Sequence, residues 1–164
     1  MKSIIVYTSK HGSTEKAVQL LSDRLDGEVA AVKVDKAWGI NLHSYDRVIL
    51  GGPIYNGQLS MELSSYAVCH LHTLMETQIG LFILAAAEDV FTLQRELEEA
   101  FPAPLYAYAS AKESFGYELH LGGLSALEKV ILEANGISRN ASKLSFSDIE
   151  RFADMLNKKM KIYR

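Results

Sequence analysis

One cysteine, Cys69, occurs in 164 residues. A lone thiol excludes an intrachain disulfide and a cysteine-built metal site. Its place in an apolar-periodic stretch predicts a buried, inert side chain. No apolar run approaches the roughly 18 residues that a membrane span requires. The amino terminus, Met1-Lys2-Ser3-Ile4, runs straight into a strand and lacks a signal-peptide profile, so a cytoplasmic protein is expected. No sign of charge dominates: 17 basic and 20 acidic residues leave a net charge of −3. With no basic stripe through the body of the chain, a nucleic-acid partner is not expected. The single basic run, Lys158, Lys159, Lys161 and Arg164, fits a solvated helix end, where cations oppose the macrodipole. A peripheral membrane or partner contact is the other reading. Internal repeats and low-complexity segments are also missing. The remaining composition, 48% hydrophobic and 23% charged, is that of one globular domain over residues 1–164 with a core of its own.

Strand and helix signals alternate along the chain. Ile4 to Tyr7 is a short apolar, β-branched run, as in a strand covered on both faces. A polar loop, Thr8 to Thr14, follows it. Ala17, Leu20, Leu21 and Leu25 then recur at helical spacing up to Gly27. Val29 to Val34 and Arg47 to Leu50 predict the second and third strands, the latter breaking at Gly51-Gly52-Pro53. A helix over Leu63 to Leu74 precedes the longest apolar run, Ile79 to Ala86, which predicts a central strand. Val90, Leu93, Leu97 and Phe101 mark another helix, stopped by Pro102. Leu105 to Ala109 predicts a fifth strand. A last helix opens at a capping box, Ser147 to Glu150, and buries Ile149, Phe152, Leu156 and Met160. Five alternations predict an α/β protein with a parallel sheet and helices on both faces. Between the fifth strand and the last helix lies an excursion of nearly forty residues, about 110–146, with its own helix over Ser125 to Asn135. Connections in compact domains are seldom so long unless they serve a function.

In a doubly wound sheet the ligand crevice lies beyond the carboxyl ends of the strands. The first loop borders it and supplies Thr8, Ser9, Ser13 and Thr14 hydroxyls, Gly12 for close approach, and a helix amino terminus whose free N–H groups suit a phosphate. Lys10 is the one lysine nearby, so neutral donors carry much of the recognition. A dinucleotide fingerprint needs two further glycines, and a Walker loop needs a G-K-[ST] ending; neither is present. A receiver domain would place acids where Tyr7 and Thr8 stand. A phosphatase of this architecture would need a cysteine in the loop. An ordinary polar turn with a Ser or Thr cap accounts for the loop equally simply.

The spacing Thr8-x-x-x-Gly12-x-Thr14 after an opening strand resembles the phosphate loop of flavodoxins. Gly52-Pro53-Ile54-Tyr55-Asn56-Gly57 after the third strand resembles the segment with which they wrap the isoalloxazine ring. The likeness implies a flavodoxin-like three-layer sandwich, a five-stranded parallel sheet ordered 2-1-3-4-5, and FMN as cofactor. Over most of the chain, Tyr45 to Gly57 and Ser147 to Leu156 above all, the sequence is similar to the flavodoxin-like bacterial protoporphyrinogen oxidases. That family passes electrons from a porphyrinogen to respiratory quinones. The likeness is looser from Ala85 to Ala103 and within the excursion. It implies a small hydrophobic substrate with a quinone acceptor; a flavodoxin-type carrier, exchanging electrons with a redox partner protein, is the alternative.

The resemblance implies phosphate contacts from Thr8, Ser9, Lys10, His11, Gly12, Ser13 and Thr14, although His11 fits a solvated loop residue as well. It implies ring contacts from Pro53, Ile54, Tyr55, Asn56 and Gly57. Tyr55 suits stacking on the ring, and Asn56-Gly57 is a turn pair able to adopt positive φ. In flavodoxins a glycine at the place of Gly57 lets a peptide reorient toward the flavin N5. The third loop, Ala85-Ala86-Ala87-Glu88-Asp89, departs from the flavodoxin pattern, with no aromatic to cover the outer flavin face. Ala86, Ala87 and Glu88 would meet the pyrimidine edge, unless the acids merely open the next helix. The uncovered face suits a substrate or a roof made by Phe115, Tyr117 or His120. No general acid or base stands out, as flavin chemistry allows.

Overall fold

The computed structural model describes residues 1–10, 12–119, 125–134 and 141–158. β1 (Lys2–Tyr7) buries five consecutive residues, as a strand covered on both faces must. α1 (Ser13–Arg24) returns the chain to β2 (Glu28–Lys33). Two short 3₁₀ turns precede β3 (Arg47–Pro53). Then come α2 (Met61–Cys69), α3 (Leu71–Leu74), β4 (Gln78–Leu84) and α4 (Val90–Ala100). α5 (Ala103–Tyr108), β5 (Ala111–Ser114), β6 (Glu118–Leu119), α6 (Ala126–Ala134), β7 (Ala141–Ser142) and α7 (Phe146–Asn157) follow.

The main sheet has five parallel strands in the order β2-β1-β3-β4-β5. Helices cover both of its faces, the flavodoxin-like α/β arrangement expected from the sequence. Alternation along the strands makes two cores. Ile4, Val6, Leu50 and Leu81 pack with Leu63, Tyr66, Leu74, Leu97 and Leu105, from α2 to α5. Ile5, Ile49 and Phe82 pack on the other face with Ala17 and Leu21 of α1 and Ile149, Phe152 and Leu156 of α7. Tyr7 pairs with Gly51, and Gly51 with Phe82, so β1, β3 and β4 end side by side. Their three following loops therefore meet at one edge.

The opposite edge is tied together by polar contacts. Arg47 is fully buried and donates to the Leu156 carbonyl at 2.8 Å and to Gln78 Oε1 at 3.1 Å. Burial pushes its pKa down, against the pull of Asp26 and Asp46 upward. Asn157 accepts from the Asp26 amide at 3.0 Å and donates to the Arg24 carbonyl at 2.9 Å, which joins the ends of α1 and α7.

Several expectations are corrected. The apolar run Leu105 to Ala109 lies at the end of α5 and just beyond it, and the fifth strand is Ala111–Ser114. Pro102 takes the N-cap position and starts that helix, whose Leu105 is buried. β5 is an edge strand, paired on one side, and buries only Ala111 completely, so it needs no apolar run. The excursion accordingly begins after Ser114 rather than at 110. It holds the antiparallel pair β6 and β7, and α6. α7 is capped by Ser145, whose side chain accepts from the Asp148 amide at 3.2 Å, and not by Ser147. Ser145 has the extended backbone a cap requires. The helix expected over Leu63 to Leu74 divides at His70 into α2 and α3. Cys69 is exposed, because it sits two positions beyond buried Ala67, on the far side of the stripe formed by Leu63, Tyr66 and Ala67. Phe115 is fully buried, stacked on Phe82 with ring centroids 4.8 Å apart, so it belongs to the core rather than to any roof. His120, Asn135, Met160 and the basic residues after Lys158 lie outside the described residues. Among the described residues, no helix is long and apolar enough to cross a membrane.

Candidate functional site

The first loop turns from β1 into α1 through Gly12, whose φ of 85° is the left-handed conformation that glycine tolerates. Gly12 is the N-cap of α1 and offers no side-chain cap. A Cβ placed there would meet nothing within 4 Å. Gly12 thus leaves room beside the start of α1, the helix end whose first N–H groups lack intrahelical partners and suit a phosphate. Two hydroxyls flank the turn. Thr14 is fully buried, and its Oγ1 has no hydrogen-bond partner among the described residues; the same holds for the buried Thr8 Oγ1. Orphaned buried hydroxyls are rare and call for an explanation. Thr8 Oγ1 rests against Gly52, where a Cβ would come within 2.2 Å of it. The Thr8 amide donates to the Gly51 carbonyl at 3.2 Å. The first and second loops are thus locked together at their roots.

Ser9 and Lys10 face other partners. The Ser9 hydroxyl donates to Glu15 and accepts from the Gly12 amide at 3.3 Å. Burial raises the Glu15 carboxyl, but the Ser9 hydroxyl and the Lys33 ammonium at 3.2 Å outweigh it and hold the group below its ordinary value. Lys10 pairs with Glu128 of α6 at 3.3 Å and lies 5.3 Å from the centre of the Tyr55 ring. Ser13 opens α1 in a half-buried position. His11 lies outside the described residues.

The second loop is a two-residue hairpin. Tyr55 and Gln58 exchange both backbone hydrogen bonds at 3.0 Å across Asn56 and Gly57. Those two residues have φ of 52° and 73°, the pair of positive values that a type I′ turn requires. Pro53 and Ile54 are half-buried at its base, and the Ile54 amide donates to the Leu84 carbonyl at 2.8 Å. Tyr55 is 42% exposed. Its hydroxyl is pushed above the ordinary tyrosine range, first by burial and then by the Glu128 charge.

In the third loop Ala86 is exposed and Ala87 half-buried, with no bulky side chain at either position. Asp89 caps α4, accepting from the Thr92 amide at 3.0 Å, so the helix-opening reading holds for this acid. Glu88 pairs with Lys143 instead, and the Lys143 ammonium holds its carboxyl below the usual range. Beyond this loop a cleft of roughly 480 Å³ crosses the carboxyl ends of β4 and β5. Ala86, Ala87, Leu93, Ser114, Tyr117 and Lys143 line it. Ser114 Oγ is buried there without a partner among the described residues. Neither this hydroxyl nor the cleft was legible in the sequence, since both depend on where β5 pairs. A second cleft of roughly 360 Å³ lies beside the hairpin, between Gly57 and Glu99.

The arrangement fits FMN: a phosphate cradle at a helix amino terminus with two buried hydroxyls unpaired among the described residues, a turn with positive φ, and a neighbouring aromatic. The flavodoxin-domain profile matches residues 4–136. The chain belongs to the flavodoxin family. Solved structures agree in fold. A short-chain flavodoxin associated with a PDU bacterial microcompartment is 13% identical with a TM-score of 0.60, covering 95% of this chain and 96% of that one. A flavodoxin from the domain Archaea is 10% identical with a TM-score of 0.52, covering 96% of each chain. A flavodoxin of Streptococcus pneumonia TIGR4 is 13% identical with a TM-score of 0.51, covering 95% of this chain and 97% of that one. No curated protein matches the sequence significantly. Homologues of the flavodoxin fold bind FMN, and flavodoxins transfer electrons to redox partners.

Proposed function

We propose that this flavodoxin-family protein is a cytoplasmic FMN-dependent oxidoreductase of the protoporphyrinogen dehydrogenase type, taking electrons from a small hydrophobic donor and delivering them to a quinone. The observation that carries this reading is the cleft beside Ala86 and Ala87. A carrier needs no substrate pocket, and this cleft has the few hundred Å³ typical of small-molecule sites, with Ala86, Ala87 and Leu93 lining it beside the polar Ser114, Lys143 and Asp148.

The residues divide the work as follows. Thr8 and Thr14 hydroxyls and the amides at the start of α1 hold the FMN phosphate, with Ser9, Lys10, His11 and Ser13 around them. Tyr55 stacks on the ring, and the Asn56-Gly57 turn presents backbone to it, supported by Pro53 and Ile54. Ala86 and Ala87 leave the outer ring face approachable from the cleft. FMN supplies the electron-accepting chemistry, while the protein contributes position and electrostatics. Glu88 is paired with Lys143 at the mouth of the cleft and is not among the proposed cofactor ligands.

Four acids near this edge are neutralised by cations rather than offered as an acidic rim to a carrier's partner. Glu15, Glu88, Glu113 and Glu128 are paired with Lys33, Lys143, Arg151 and Lys10. Stopped-flow flavin spectra test the choice. A porphyrinogen should reduce the bound flavin rapidly and a quinone reoxidise it, whereas a ferredoxin-type reductase should be slow. Rapid exchange with the reductase alone would establish the carrier. Reduction by neither class would overturn both.

A further inference from the structure

The excursion helix reaches back to the phosphate loop. Glu128 of α6 stands 118 residues beyond Lys10, yet their charged atoms are 3.3 Å apart. Lys10 is the only lysine or arginine between Thr8 and Thr14. Its ammonium also lies 5.3 Å from the centre of the Tyr55 ring, and the Glu128 charge is felt by the Tyr55 hydroxyl. One ion pair therefore links the phosphate loop, the second loop and the excursion. At its own end Glu128 belongs to a capping box: Ser125 Oγ accepts from the Glu128 amide at 3.2 Å, and the Ser125 amide donates to Glu128 Oε1 at 3.4 Å. Leu127 and Val130 are 70% and 60% exposed, and the ion pair is a contact that joins this helix to the phosphate loop.

We propose that Lys10 and Glu128 form a strap that fastens α6 beside the flavin site and that the FMN phosphate unfastens. The inference rests on the FMN reading above. A phosphate dianion in the cradle competes with the Glu128 carboxylate for the same ammonium, because opposite charges attract it from both sides. Glu128 thus opposes the phosphate and not the ring. Binding FMN releases α6 from the phosphate loop, while binding riboflavin leaves the strap fastened. Glu128 is a positioning residue, acting on the cofactor through Lys10.

The test uses the full chain without flavin, titrated with FMN and with riboflavin. Glu128→Gln removes the charge and keeps the reach of the capping box. It should tighten FMN by about threefold, the scale of a partly exposed ion pair, and leave riboflavin unchanged. Lys10→Met should weaken FMN, and in its background Glu128→Gln should have no effect. Hydrogen exchange over residues 126–134 should rise on adding FMN but not riboflavin, and should already be raised in flavin-free Glu128→Gln and Lys10→Met. Equal shifts for both flavins, no shift for either, or exchange that falls with FMN would overturn the strap. If no flavin binds, the cofactor reading fails by that fact. The exchange of the flavin-free variants then judges the fastened ion pair alone.

Discussion

The two edges of the sheet spend their polar groups differently. At the amino edge, Arg47, Gln78 and Asn157 are turned on the protein itself and clamp α7 to the strands and to α1. At the carboxyl edge, Thr8, Thr14 and Ser114 hydroxyls are buried without partners among the described residues. The division is not perfect, because Ser3 Oγ and one Arg47 nitrogen are orphans at the amino edge. Glycine sharpens the contrast. A Cβ at Gly51, within the sheet, would come within 2.2 Å of the Phe82 ring, whereas one at Gly12 or Gly57 would meet nothing within 4 Å. One kind of glycine makes room for the protein's own core, and the other leaves room for a ligand. An edge whose polar groups are satisfied internally holds the fold; an edge whose groups are unsatisfied costs stability until something binds.

Substitutions at the two edges should therefore separate stability from flavin affinity. The largest effect is expected for Arg47→Ala, which removes a fully buried side chain and its bond to the Leu156 carbonyl. Urea unfolding should show a loss of about 3 kcal/mol, with FMN affinity unchanged in the folded protein. A parallel fall in affinity would mean that the edges are coupled and the division false.

Gly12→Val comes next and acts at the other edge. A branched side chain at positive φ costs about 1–3 kcal/mol of stability, so affinity must be measured on protein shown to be folded. FMN binding should weaken by about 2 kcal/mol or more, roughly thirtyfold, since the side chain fills the space above the helix amides. Normal FMN titration of the folded variant would remove Gly12 from the site.

Thr14→Val reads the comparison in reverse. It exchanges an unpaired buried hydroxyl for a methyl of similar size. FMN affinity should fall by about 1–2 kcal/mol, while the flavin-free protein becomes slightly more stable. A loss of flavin-free stability would show that Thr14 is a structural residue. The smallest effect is expected for Glu88→Gln, an exposed group paired with Lys143. FMN affinity should not change, and a clear loss would return Glu88 to the cofactor ligands.

What was legible in the sequence follows the same line. The strands β1, β3 and β4 are covered on both faces, so their apolar runs declare them. The phosphate loop and the Asn56-Gly57 turn are local, written in consecutive residues whose backbone demands are known. β5 is hard to read because an edge strand needs little apolar surface, while the nearby run through Leu105 belongs largely to a helix that Pro102 starts. The exposure of Cys69 is equally hidden, because an apolar stretch does not say which face of a helix each residue occupies. The Lys10–Glu128 and Glu88–Lys143 pairs join residues distant in sequence, and nothing in one chain announces them. Orphaned hydroxyls are likewise invisible before the partners they lack can be counted.

The central claim is that the first loop is a phosphate site. Fluorescence titration of the flavin-free protein with FMN and riboflavin tests it most directly. The account predicts near-stoichiometric uptake of FMN and riboflavin binding weaker by about tenfold or more, 1.4 kcal/mol being one decade. Equal affinity for the two flavins would contradict it, because the phosphate is the only difference between them.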